Sequence, residues 1–200
     1  MATTMDTAVL DERPLDRVTV FLHLGLAVFG VAAWLIGSGW IGAGAGDYDH
    51  ADHFWYIQHR WIGITFSVFL FARILWGFVG PASARFVNWV PWTWARFKLV
   101  IEDVWGLLRF RIPDRPSHMG LSGLVQSLGL LVFLWLGVSG LMNAVAITPG
   151  VKLTGWMREI KELHEIGDVL VPAYLILHVG GVLLHAFTGK QVWKKMLFLE

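Results

Sequence analysis

Four histidines stand where a chain this apolar has least reason to keep them: His23, His59, His164 and His178. Each falls inside or at the rim of a long hydrophobic run. Ionisable groups in hydrocarbon are costly and mark functional paths more often than packing. In LHEIGDVLVPAYLILH, His164 and His178 are fourteen residues apart. A helix rises about 1.5 Å and turns about 100° per residue, so the spacing is about 21 Å and about 40° short of four full turns. The two rings share nearly one face, in two layers. Paired imidazoles are ligand chemistry. Zinc normally takes four tetrahedral donors, which two histidines per layer supply only if Glu165 or Asp168 joins the outer pair. Haem iron takes only two axial ligands from the protein, and imidazoles on facing helices provide them. A macrocycle that is apolar over most of its surface also suits a bilayer core.

The elements that must position these residues are read from composition. The chain has 200 residues, 56% apolar and only 16% charged, with a mean hydropathy of +0.57. Soluble domains carry about 25% charge, so an integral membrane protein is expected. The 12 Trp gather near the ends of apolar runs, where membrane proteins favour them. A net charge of +1 points to no nucleic-acid partner, and the lack of Cys excludes disulfides, iron–sulfur clusters and covalently attached haem. The polar, acidic first sixteen residues predict no secretory leader.

Four stretches are long enough for the roughly 20 helical residues that cross a bilayer: about 15–40, 54–79, 121–146 and 163–187. Pro172 is expected to bend the fourth. The expected fold is therefore an all-α membrane protein, one four-helix bundle domain over 1–200. The loop from Gly42 to His53 has no Lys or Arg. The loop from Pro81 to Gly120 holds Arg85, Arg96, Lys98, Arg109, Arg111 and Arg115, and the tail holds Lys190, Lys194 and Lys195. Basic loops stay in the cytoplasm, which puts both termini and the central loop there; Lys152, Arg158 and Lys161, between spans three and four, weaken the bias. Within the central loop, WTWARFKLVIEDVWGLLRF (Trp92 to Phe110) mixes aromatics and bases at helical spacing. It is expected to form an interfacial cytoplasmic helix on the headgroups, with partner docking as the alternative.

This orientation pairs the histidines by depth: His23 with His178 in the inner half, His59 with His164 in the outer. Arg73 follows His59 by fourteen residues, about 21 Å further in on nearly the same face, and Arg17 lies about 9 Å to the cytoplasmic side of His23. Both are candidates to meet propionates or an anionic quinone species. Gly63, Gly137, Gly140, Gly180 and Gly181 permit close approach of a helix or a flat ring, though ordinary packing explains any one of them. His185, seven residues after His178 and about 20° from alignment, is a rival inner ligand, a quinone contact or a snorkelling end residue; it ranks second by depth. His50 and His53 stand among Asp47, Asp49 and Asp52; an acidic loop docking a basic partner is favoured over metal capture. His118 carries no specific signal.

The ordered set RVTVFLHL, IQHRWIG, FARILWGFVGPASARF, IKELHE and LILHVGGVLLH resembles the bacterial cytochrome b561 and hydrogenase-type b cytochromes, over about residues 13–196. RILWGFVGPASARF leans toward the hydrogenase-type branch. The resemblance implies a four-helix inner-membrane cytochrome with two bis-histidine b haems, whose ligands carry over onto His23, His59, His164 and His178. It implies electron transfer between a periplasmic partner (a dehydrogenase, a hydrogenase or a c-type cytochrome) and membrane quinone, as a respiratory subunit rather than a stand-alone enzyme. The alternative is a self-sufficient quinone oxidoreductase acting on a small periplasmic substrate such as superoxide. Some members have a histidine early in span three where this chain has Gln126. Glu165 and Asp168 are candidates to orient the ligand imidazoles.

Overall fold

The computed structural model describes residues 16–42, 53–113, 115, 119–149, 151–189 and 192–196. Their regular structure is helical throughout, with no strand among the described residues: α1 (Arg17–Gly37), α2 (His53–Val79), α3 (Phe86–Trp89), α4 (Trp94–Leu108), α5 (Leu121–Ala146), α6 (Trp156–Glu165), α7 (Gly167–Phe187) and α8 (Val192–Lys195). Four stretches of the described residues are long and apolar enough to cross a membrane: Arg17–Gly37, Phe54–Val79, Leu121–Ala146 and Trp156–Phe187.

Local chemistry sets the ends. Before α1, the Asp16 carboxylate accepts from the Thr19 amide at 2.9 Å and the Thr19 hydroxyl at 2.6 Å, meeting amides that a helix start leaves unpaired. Past its last turn, Gly39 takes φ 77° and the Ile41 amide returns to the Leu35 carbonyl, a left-handed exit open to glycine. Thus α1 stops at Gly37, short of the expected residue 40. The second and third spans match expectation.

The fourth differs. Its helix begins at Trp156 rather than Leu163 and is interrupted at Ile166, while Pro172 lies inside α7 without ending it. The added turns, WMREIKELHE, are amphipathic and charged, so hydropathy cannot reveal them. His164 therefore sits on α6 and His178 on α7, with the interruption between them.

The chain divides into two compact units. The first comprises Met1–Phe21, Arg73–Leu130 and Tyr174–Glu200, the second Leu22–Ala72 and Leu131–Ala173. In the first, the connection between α2 and α5 is structured, as a 40-residue link should be. Arg85 Nε donates to the Gly80 carbonyl at 2.7 Å, the Arg96 guanidinium to the Val87 and Val90 carbonyls, and Thr93 caps α4. Asp103, 4% exposed, accepts from Arg115 Nε at 2.6 Å and from the Leu121 amide at 2.8 Å. One carboxylate thereby ties α4, the following loop and the start of α5. Burial works against the Arg115 charge, but its bonds to Asp103 and Glu102 hold its pKa above the ordinary guanidinium value. The Trp76 indole donates to Asp16 at 3.1 Å. In the second unit, Phe29 stacks on Phe69 at 5.4 Å and Phe66 meets Phe133 edge-on at 5.5 Å. Gly137 admits the fully buried Leu70: a Cβ there would lie 2.7 Å from a Leu70 methyl.

Candidate cofactor-binding site

The site is built where α1, α2, α5 and α6 meet within the second unit. His59 on α2 and His164 on α6 face each other with ring centroids 6.0 Å apart and planes at 74°. Each ring is anchored through Nδ1. His59 Nδ1 lies 2.9 Å from the Ala33 carbonyl, which can only accept, so Nδ1 carries the proton. His164 Nδ1 lies 2.9 Å from Ser139 Oγ, and that hydroxyl spends its one hydrogen on the Trp135 carbonyl at 2.8 Å. With its hydrogen directed to a backbone carbonyl, Ser139 Oγ is free to accept from His164 Nδ1. In that tautomer each neutral ring has Nε2 unprotonated and available as a donor to a metal. Trp135 also donates its indole N–H to the Leu163 carbonyl at 3.0 Å, bracing α6 one residue before His164.

Two glycines make this geometry possible. A Cβ on Gly37 would stand 2.8 Å from the His59 ring, and one on Gly140 would stand 2.9 Å from the His164 ring. Any side chain there would displace an imidazole.

Beside the rings lies a cavity of about 140 Å³. Ile64, Phe66, Phe133, Leu136 and Val171 supply apolar wall; Tyr56, Arg60, Asn143, Glu165 and Asp168 supply polar wall. Trp34 Nε1, Arg60 Nε and Asn143 Oδ1 are buried with no hydrogen-bond partner among the described residues. Buried polar groups are nearly always paired, so three unmatched ones around one cavity point to a ligand with polar edges. Gly63, also on the wall, has nothing within 4 Å of where a Cβ would stand.

These features fit a haem. Two imidazole–metal bonds of about 2 Å each, with the half-rings behind them, span roughly 6 Å, close to the observed separation. The apolar wall suits a macrocycle, and the two unmatched donors, Trp34 Nε1 and Arg60 Nε, suit its carboxylate edge. No cluster of three or more His, Cys, Asp or Glu gathers among the described residues, so the four-donor zinc arrangement gains no support there.

The other expected residues are placed as follows. His23, half-buried on α1, belongs to the second unit; His178, half-buried on α7, belongs to the first and stacks on Tyr174 at 5.4 Å. Arg17 is exposed at the start of α1. Arg73 is half-buried, with its guanidinium 5.6 Å from the Phe86 ring centre and Nη1 buried without a hydrogen-bond partner among the described residues. His185 Nδ1 is likewise buried without a partner. Glu165 pairs with Lys161 at 2.6 Å, and the partner of His164 Nδ1 is Ser139. His50, His118, Asp47, Asp49 and Asp52 lie outside the described residues, as does the side chain of His53. Ser139 and Arg60 were not foreseen. For Arg60 the signal was present in IQHRWIG, an arginine near the end of an apolar run.

The family model for prokaryotic cytochrome b561 matches residues 15–198. No curated protein and no solved structure matches the chain.

Proposed function

The chain belongs to the prokaryotic cytochrome b561 family, and on that premise we propose that it carries electrons between a periplasmic redox protein and membrane quinone through two bis-histidine b haems. Membership with four apolar helices makes it a multi-pass inner-membrane b-type haem electron-transfer protein. The proposal adds the ligands: His59 and His164 hold the outer haem, His23 and His178 the inner. When bound, haem supplies reversible one-electron chemistry.

The protein's own residues set the conditions. The Ala33 carbonyl and Ser139 fix both outer tautomers and raise ligand basicity by accepting from Nδ1. Apolar wall keeps water from the ligating nitrogens. Arg73, with its unmatched Nη1, and Arg17 meet inner propionates or quinone. With the basic loops cytoplasmic, α4 lies on the headgroups: Trp94, Ile101, Trp105 and Leu108 are exposed on one side, Val100 and Asp103 buried on the other.

The supporting observation is the His59–His164 pair, 6.0 Å apart with both Nδ1 atoms anchored. The test is haem stoichiometry with an optical spectrum of the purified chain. Two low-spin b haems per chain are expected; one or none would sink the reading. Arg60 on the cavity wall favours a second reading, direct oxidation of a small periplasmic anion such as superoxide, but the carboxylates of Glu165 and Asp168 on that wall disfavour a free anion there. Quinone reduction by the chain alone, with no added partner protein, would support the second reading over the first.

A further inference from the structure

Arg60 poses a problem that the ligand pair does not solve. It follows His59 directly and is half-buried, and its Nε is buried with no hydrogen-bond partner among the described residues. A guanidinium keeps its charge in any protein environment and is costly to bury unpaired. Charged groups on the same cavity wall do not resolve this: Glu165 is held by Lys161 at 2.6 Å, and no ion pair joins Arg60 to it or to Asp168 among the described residues. The Trp34 indole N–H, on the wall of the same cavity, is also buried and unmatched among the described residues. Two N–H donors, one of them cationic, thus border one cavity whose remaining wall is largely apolar. Gly63, three residues after Arg60 and on the same wall, has open space where a Cβ would stand.

We infer that Arg60 and Trp34 form a carboxylate-anchoring site at the edge of the His59–His164 cavity, and that a propionate of the haem occupies it. The inference rests on the proposed reading of His59 and His164 as haem ligands. A carboxylate answers both unmatched donors at once, and charge-assisted N–H···O bonds are the strong ones. It also neutralises the arginine inside the membrane without recruiting either acidic residue of the wall. Asn143 Oδ1, an unmatched acceptor on the same wall, serves a protonated propionate or a bridging water.

A double cycle on haem retention tests the site. The full chain and its Arg60→Gln and Arg60→Lys variants are loaded with haem b or with its dimethyl ester, and haem loss to excess apomyoglobin is timed. The Gln variant is expected to speed one of the two phases of haem b loss roughly tenfold, with Lys restoring most of the difference. In that phase, wild type should lose the ester haem about as fast as the Gln variant loses haem b, and the Gln change should add nothing to ester loss. Equal acceleration of both haems, or of neither, overturns the inference. If millimolar acetate slows ester loss from wild type but not from the Gln variant, a free carboxylate is filling the place that the esterified propionate vacates, as the inference expects. Failure of the underlying reading looks different: the chain then binds no haem, or His59→Ala leaves both haems in place, whatever stands at Arg60.

Discussion

The two units treat their inward polar groups differently. In the first, Asp103 is saturated by Arg115 and the Leu121 amide, and Asp16 by Thr19 and Trp76. In the second, Ser139, Ala33 and Trp135 satisfy the two histidines at Nδ1 and the carbonyl before His164, while Trp34, Arg60 and Asn143 remain unmatched around a cavity. Pairing that closes on itself is what a structural joint needs. Pairing that stops one atom short, on rings whose other nitrogen stays open, is what a ligand site needs. The first unit has its own open ends, Arg73 Nη1 and His185 Nδ1, and these are the places there to look for a second ligand edge.

The contrast breaks most visibly at His164. Its change to Ala should remove one whole haem from the purified chain, read as pyridine haemochrome per protein; two haems retained would abolish the distinction between the units. Next comes Asp103→Asn, which weakens the charged bonds to Arg115 and leaves haem content alone. The loss should be about 1.5–3 kcal/mol, toward the low end because Arg115 is 27% exposed at its side chain, and should appear as a lower unfolding temperature in detergent. Ser139→Ala should do the reverse, lowering haem affinity about tenfold with little change in the stability of the haem-free protein, and Ser139→Thr should recover most of it. The smallest effect belongs to Trp76→Phe, which removes an indole bond to Asp16 and should cost about 1 kcal/mol of stability with both haem bands unchanged.

The sequence made the spans legible because length and hydropathy alone decide them; spans two and three match to within a residue. His59 and His164 were legible by depth, since their positions relative to span ends follow from helical rise. Three things were not. The α6 turns from Trp156 carry too much charge for a hydropathy window to register. Ser139 was hidden because a hydroxyl in a helix ordinarily bonds back to the carbonyl four residues earlier; here it does that with Trp135 and also receives His164. The choice between Glu165 and Ser139 for His164 depends on side-chain direction, and Lys161 four residues before Glu165 was the unread clue.

The interruption at Ile166 gives the fourth span a knuckle. Ile166 keeps right-handed helical dihedrals, φ −55° and ψ −24°, so the chain passes the joint without leaving the helical region. Arg158, Glu159 and Glu162 are exposed on α6, whereas α7 carries no Lys, Arg or Glu. One segment thus sets His164 on a charged helix and His178 on an apolar one.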